Sequence, residues 1–88
     1  MKDLSEARLI LNDIDDKMKA LFIKRMNIVK EIAEYKKNNN LPIFDPNREK
    51  EMIERLSKDT GDFKDNYIEF LNCILKESKK YQENIIKL

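Results

Sequence analysis

The feature that most constrains this sequence is its first segment, which runs without a helix-breaking residue from Leu4 to the asparagines at 38–40. Asp3 suits the N-cap of a helix here, and Glu6 three residues later completes a capping-box pattern. Positions spaced alternately three and four apart form a stripe that is apolar except at its arginine: Leu4, Ala7, Leu11, Ile14, Met18, Leu21, Arg25, Ile28, Ile32 and Tyr35. This spacing predicts one long amphipathic helix of about 34 residues.

The length of this helix bears on how many chains assemble. A helix of about 34 residues measures about 50 Å, because each residue adds 1.5 Å. A compact globule of 88 residues has a diameter on the order of 30 Å. Much of the stripe would therefore extend beyond the chain's own globule and expose apolar side chains to water. Packing of two long helices against each other removes this exposure, so the sequence predicts a homodimer.

Two further helices are predicted after the long one. Asp45 is a good N-cap and Pro46 suits the first helical position, so a short second helix begins there. Gly61 marks a turn, and a third helix of medium length runs from about residue 62 or 63 to near residue 88. The side chains expected to face inward on these two helices are Met52, Ile53, Leu56, Phe63, Tyr67, Phe70, Leu71, Ile74, Leu75, Tyr81, Ile85 and Ile86. The predicted fold is all-α, with three helices in one domain spanning residues 1–88.

Composition excludes several classes of function. Lys and Arg number 18 and Asp and Glu 17, and this near-balance argues against a nucleic-acid or anionic-membrane binder. The absence of histidine, together with a single cysteine, Cys73, leaves no expected metal site and no internal disulfide. Cys73 itself is expected to pack within the third helix. No apolar run approaches the ~20 residues of a membrane span, and the first residues lack the apolar core of a signal peptide, so we expect a cytoplasmic protein.

Two cations lie where the long helix predicts buried positions. Arg25 interrupts the apolar stripe between Leu21 and Ile28. An unpaired buried charge is unfavourable, so this guanidinium requires an anionic partner. Lys36 follows eleven residues later, close to the same face and about 16 Å along the axis, so both side chains can converge on one small anion. Pairing of Arg25 with an acidic residue of a partner helix is the alternative interpretation.

The other two helices also carry polar side chains on their inward faces. These are Arg48, Glu49, Ser78 and Gln82. Each position taken singly is consistent with a stray polar residue at the edge of a helix face. Taken together with Arg25 and Lys36, they predict a pocket that is cationic except for one carboxylate. Such a pocket suits a small dianion with a hydroxyl group, because guanidinium groups bind carboxylates bidentately and Glu49 can accept a hydrogen bond.

The order and spacing of these residues resemble the all-helical class of chorismate mutase over nearly the whole chain. The matching positions are Arg8, residues 14–17, Lys24 and Arg25, Tyr35 and Lys36, residues 45–49 and residues 78–82. The resemblance implies an intertwined helical homodimer with two equivalent active sites and no cofactor. It also implies an isomerase that converts chorismate to prephenate in the biosynthesis of phenylalanine and tyrosine.

The resemblance also implies which residues bind the reacting part of the substrate. Arg25 would pair with one carboxylate, and Arg8 of the partner subunit with the second. Lys36 and Gln82 would donate hydrogen bonds to the ether oxygen whose bond to carbon breaks. Arg8 lies 28 positions from Lys36, about 42 Å along a straight helix, so it cannot reach the same small ligand from its own chain.

The rest of the pocket follows from the same resemblance. Glu49 and the backbone amide of Asp45 would hold the ring hydroxyl, and Arg48 and Ser78 would complete the polar wall. Lys79 departs from the family pattern, in which an apolar wall residue usually follows the serine. This departure is expected to change how well the rim of the pocket excludes water.

Two other functions are compatible with the sequence. An isochorismate pyruvate lyase on the same scaffold would use a similar cationic pocket for a related dianion. A non-catalytic helical dimer of the regulatory or adaptor type would use the inward charges only for pairing between helices. Product identification separates the first alternative from a mutase, and binding of a dicarboxylate transition-state mimic separates the second.

Overall fold

The computed structural model describes residues 3–87, which form three α-helices and no strand. The helices are α1 (Leu4–Asn38), α2 (Pro46–Leu56) and α3 (Lys64–Lys87), and a short 3₁₀ helix, Gly61–Phe63, precedes α3. The prediction of an all-α fold with one long, one short and one medium helix is therefore confirmed. Within residues 3–87, no helix combines the length and the apolarity that crossing a membrane requires.

Local signals at both ends of α1 explain its limits. The Asp3 carboxylate accepts a hydrogen bond from the Glu6 backbone amide at 2.8 Å, as the capping pattern predicts. At the other end Asn40 adopts a left-handed conformation (φ 54°), which asparagine tolerates better than most residues. The Leu41 backbone amide then donates a hydrogen bond to the Lys36 carbonyl at 2.9 Å, which is the 6→1 bond of a Schellman cap. The left-handed residue therefore directs the chain out of the helix, and the cap satisfies one of the carbonyls of the last turn.

The core lies where α1, α2 and α3 meet. Met52, Leu71 and Leu75 form a buried cluster between α2 and α3. Ile53, Leu56 and Tyr67 pack against that cluster and are partly buried. The inward orientation predicted for the apolar face of α2 is thus confirmed.

Part of the inward face predicted for α3 is wrong for the single chain. Phe63 and Phe70 are 72% and 47% exposed, and Cys73 is also exposed. Leu71 and Leu75 set the buried line of α3, and successive residues turn by about 100° around the axis. Phe70 comes one residue before Leu71, and Cys73 lies two residues from each leucine, so both side chains project away from that line. Phe63 precedes α3 in the 3₁₀ helix.

The long helix extends well past the other two. The chain measures 54 × 25 × 14 Å and its radius of gyration is 16.4 Å, against about 12 Å for a compact chain of this length. Val29 and Ala33 are buried in α1. The large apolar residues of α1 that remain exposed are Leu4, Leu9, Ile10, Leu11, Ile14, Met18, Leu21, Phe22, Ile23, Ile28, Ile32 and Tyr35. The helix therefore extends beyond its own globule, as its length predicts.

An apolar groove of about 320 Å³ continues this exposed surface between the helices. Its walls come from all three helices: Met18, Leu21, Phe22, Arg25, Met52, Leu56, Tyr67, Phe70, Leu71 and Ile74. Phe70 and Tyr67 stack there with ring centroids 6.0 Å apart. The exposed aromatic residues of α3 thus belong to the same apolar surface as the exposed stripe of α1.

The core cluster makes a direct prediction about stability. Leu71 is 2% exposed, so Leu71→Ala removes buried apolar volume and leaves a cavity. We expect the free energy of unfolding, measured by urea denaturation, to fall by about 2–5 kcal/mol. Leu41→Ala, in the connection after α1 and 46% exposed, is the matched control and should change it far less. Equal effects of the two substitutions would contradict this assignment of the core.

Candidate active site

A cavity of about 140 Å³ lies between the second half of α1, the first turns of α2 and the second half of α3. Its lining residues are Arg25, Val29, Ile32, Lys36, Ile43, Asp45, Arg48, Glu49, Met52, Leu75, Ser78, Lys79 and Gln82. All the site residues predicted from the sequence are among them except Arg8. Residues far apart along the chain therefore share one wall because the three helices converge there.

A chain of hydrogen bonds runs across the cavity from α1 to α3. The Lys36 ammonium donates to the Ile43 carbonyl at 2.9 Å and to the Gln82 side-chain oxygen at 3.1 Å. The Gln82 amide nitrogen donates in turn to the Ser78 hydroxyl at 3.1 Å. An ammonium has three N–H donors and a primary amide has two, so each group retains a donor for a ligand. Gln82 is only 6% exposed, so its amide is shielded from water.

Arg25 places an unpartnered donor in the same cavity. Its Nη1 atom is buried and has no hydrogen-bond partner within the described residues. Its Nη2 atom has a weak acceptor, the Met52 sulfur at 3.9 Å. A guanidinium stays charged at any physiological pH, and a buried N–H without an acceptor is unfavourable. An anion bound at Arg25 would supply the missing acceptor.

Glu49 has a cationic partner that the sequence did not reveal. The Lys79 ammonium lies 3.1 Å from one carboxylate oxygen of Glu49 and 3.3 Å from the other. The same ammonium lies 4.7 Å from the centre of the Phe44 ring, within range of a cation–π interaction. Lys79 thus connects α3 to α2 and to the segment that precedes it. No periodic signal in the sequence links these three residues, because they lie on different elements.

Asp45 and Arg48 form the start of α2 and the edge of the cavity. The Asp45 carboxylate accepts from the Arg48 backbone amide at 3.1 Å, and the Asp45 carbonyl accepts from the Glu49 amide at 3.1 Å. This N-cap confirms the predicted beginning of α2. Both side chains are largely exposed, although they also line the cavity.

The charges around the cavity favour a doubly negative ligand. Four cationic side chains, from two arginines and two lysines, line it together with two carboxylates. The cations are Arg25, Lys36, Arg48 and Lys79, and the carboxylates are Asp45 and Glu49. The uncompensated charge of the wall therefore matches that of a dianion, which is the class of ligand predicted from the sequence.

Arg8 lies outside the cavity. It is exposed in the second turn of α1, 17 residues before Arg25, which corresponds to about 26 Å along the helix axis. An arginine side chain is too short to span this distance. Within one chain, Arg8 therefore contributes nothing to this cavity.

The acidic residues near the start of α1 form a solvated patch. Asp13, Asp15 and Asp16 are exposed, and Asp13 pairs with Lys17 at 2.9 Å one helical turn away. Among residues 3–87, no group of three histidine, cysteine, aspartate or glutamate side chains is arranged to hold a metal ion.

Comparison with known proteins places these residues in a family. The chain is 36% identical over 58 residues to a chorismate mutase of Methanocaldococcus jannaschii, covering 66% of this chain and 59% of that protein. It is 37% identical over 87 residues to a bifunctional chorismate mutase/prephenate dehydratase of Buchnera aphidicola, covering 96% of this chain and 23% of that protein. A protein of the same description from Aquifex aeolicus is 38% identical over 56 residues, which is 64% of this chain and 16% of the relative.

The chain thus spans less than two thirds of the length of each of these relatives. No solved structure matches it. The family model for chorismate mutase type II matches residues 8–83, a range that begins at Arg8 and includes every residue lining the cavity. By this match the chain belongs to the chorismate mutase type II family.

Proposed function

We propose that this chain is a chorismate mutase, an isomerase that converts chorismate to prephenate in the biosynthesis of phenylalanine and tyrosine. The observation that carries the proposal is the buried Nη1 atom of Arg25, which has no partner among residues 3–87 and lines the same cavity as Lys36 and Gln82. Chorismate has two carboxylates and a ring hydroxyl. The two carboxylates suit a wall with excess positive charge, and the hydroxyl suits the carboxylate of Glu49. Family membership and the names of the relatives support the same activity.

The chemistry requires no proton transfer. In the Claisen rearrangement one carbon–oxygen bond breaks while one carbon–carbon bond forms within the same molecule. The site must hold the substrate in its compact conformer, with the enolpyruvyl group over the ring. It must also stabilise the negative charge that develops on the ether oxygen. The reaction therefore needs fixed hydrogen-bond donors, and neither a general base nor a cofactor is required.

Lys36 and Gln82 are the donors that we assign to the ether oxygen. Their mutual hydrogen bond at 3.1 Å holds both groups, and each retains an N–H that is free to donate. Burial of Gln82 excludes water from this point, which strengthens the electrostatic interaction with a developing charge. Arg25 would bind one carboxylate of the substrate through its unpartnered nitrogen.

The remaining contacts orient the ring. Glu49 and the backbone amide of Asp45 would hold the ring hydroxyl at the first turn of α2. Ser78 would face a carboxylate, and its hydroxyl already accepts from Gln82. Arg48 would complete the polar wall by ordering neighbouring groups.

The second carboxylate requires a second chain. We propose an intertwined homodimer in which the exposed stripe of α1 and the apolar groove are covered by the partner subunit. Exposed apolar surfaces of this extent are typical of protein interfaces. An antiparallel partner helix would bring its own Arg8 to the cavity, a distance that one chain cannot span. Each active site would then contain residues of both subunits.

We also propose the cytoplasm as the location of the enzyme. Cys73 is an exposed free thiol, which is typical of proteins in reducing compartments.

The most direct test of the proposed function is product identification. Purified protein is incubated separately with chorismate and with isochorismate, and the products are separated and identified. We expect prephenate from chorismate, and boiled protein serves as the control. Release of pyruvate from isochorismate without any prephenate from chorismate would identify a lyase instead. Absence of any product, together with no rise in melting temperature on adding a dicarboxylate transition-state mimic, would favour a non-catalytic dimer.

Lys36→Ala tests the assignment of the ether-oxygen donor. We expect kcat/KM for chorismate to fall by at least 10²–10³-fold, about 3–4 kcal/mol, because a donor aimed at the developing charge is lost. Lys37→Ala is the matched control, since Lys37 is exposed and outside the cavity, and it should retain the wild-type value. Near-wild-type turnover by the Lys36→Ala enzyme would show that the assigned mechanism is wrong.

Mixing two inactive variants tests the shared site. Arg8→Ala chains and Arg25→Ala chains should each form inactive homodimers, whereas a hybrid dimer contains one site with both arginines. After complete exchange of equal amounts, we expect about a quarter of wild-type activity, because half of the dimers are hybrids and each has one intact site. Exchange is verified by separating differently tagged chains. Activity that stays at the level of the separate variants after verified exchange would contradict a site built from two chains.

A further inference from the structure

Lys79 lines the cavity but has no role in the proposed reaction. It follows the buried Ser78 on α3 and lines the cavity beside Glu49. Its side chain is 33% exposed and that of Glu49 is 21% exposed. Ion pairs with this degree of exposure contribute little to folding stability, so stability alone does not explain the pair.

The geometry of the pair restricts the Glu49 carboxylate. One ammonium lies 3.1 Å and 3.3 Å from its two oxygens, which holds the plane of the carboxylate toward Lys79. Each carboxylate oxygen has two acceptor positions, so positions remain for a hydroxyl donor on the cavity side. The Phe44 ring, with its centre 4.7 Å from the same ammonium, is a second partner of Lys79. The Glu49 carboxylate is thus oriented before any ligand arrives.

The charge of the pair has a second consequence. A bare carboxylate in the cavity wall would repel a substrate that carries two negative charges. Among residues 3–87, Lys79 is the cation that lies within 4.0 Å of the Glu49 carboxylate. Arg25 instead contacts the Met52 sulfur, and Lys36 donates to the Ile43 carbonyl. Neutralisation by Lys79 lets Glu49 accept a hydrogen bond without raising the energy of the bound dianion.

We infer that Lys79 is a positioning residue, which orients and neutralises Glu49 so that Glu49 accepts the substrate hydroxyl. This inference rests on the proposed function, because the hydroxyl belongs to the proposed substrate. Lys79 acts through Glu49 and does not touch the reacting atoms. Its contribution is therefore the same in the ground state and in the transition state, which affects KM and leaves kcat largely unchanged.

The test compares three variants with the wild-type enzyme, by steady-state kinetics with chorismate at one fixed ionic strength. Lys79→Met removes the charge but keeps a side chain of similar length, and we expect KM to rise about tenfold with kcat within about twofold of wild type. Lys79→Arg should restore KM to within about threefold, because a guanidinium pairs with a carboxylate and stacks on an aromatic ring. Lys80→Met removes the same charge from an exposed neighbour outside the cavity and should leave both constants unchanged. Lys79→Gln replaces Lys79→Met if the methionine variant does not fold.

A double-mutant cycle with Glu49→Gln shows whether Lys79 changes KM through Glu49. In the Glu49→Gln background, Lys79→Met should raise KM by less than about twofold further, because the carboxylate that Lys79 orients is absent. The same tenfold rise in both backgrounds would overturn the inference, since Lys79 would then act on the substrate directly. An unchanged KM for Lys79→Met, or a fall in kcat without a change in KM, would also overturn it.

The wild-type enzyme separates this inference from the function on which it rests. Formation of prephenate by the wild type, with equal KM values for the wild type and Lys79→Met, contradicts the role of Lys79 and leaves the proposed activity intact. Failure of the wild type to form prephenate contradicts both.

Discussion

The length of α1 is the constraint on which the rest of this structure depends. The chain is 54 Å long, yet the buried residues of α1, Val29 and Ala33, both lie in its second half. Apolar side chains that are left in water oppose folding, and the surface they form here is continuous with a groove that reaches the core. The same helix also places Arg8 far from the cavity while it places Arg25 and Lys36 inside it. Burial of the stripe and completion of the proposed site would therefore occur in the same step, when two chains associate.

The proposed site contains neither a histidine nor an activated cysteine. Its polar groups hold one another in position: Lys36 binds Gln82, and Gln82 binds Ser78. Arg25 differs from these because its buried nitrogen has no partner within the described residues. A buried charged donor without an acceptor is unfavourable, so binding of an anion at this nitrogen would remove that cost. In the proposed rearrangement, which needs only conformer selection and charge stabilisation, these groups would act together with Arg8 of the partner subunit.

The helices and most of the cavity wall are predictable from the sequence, because both depend on periodicity and capping. Arg25, Lys36, Ser78 and Gln82 were recognisable because each is polar at a position where the helix period predicts burial. The contacts of Lys79 with Glu49 and Phe44 were not predictable, since they depend on how three elements pack and not on spacing within one of them. The exposure of Phe63, Phe70 and Cys73 is not predictable for the related reason that the neighbouring elements define which face of a helix is inward.

The Ile43 carbonyl could not be identified from the sequence either, because every residue has the same backbone acceptor. Its bond to the Lys36 ammonium, combined with the bond from the Leu41 amide to the Lys36 carbonyl, attaches the segment between α1 and α2 to one lysine at two points. An insertion or deletion between residues 41 and 43 would change the register between these two bonds and displace the ammonium. In relatives that diverge by gaining or losing residues, variation in loop length should therefore accumulate at the 57–60 turn and not in this connection, because that turn forms a local Thr60–Ser57 bond and does not line the cavity.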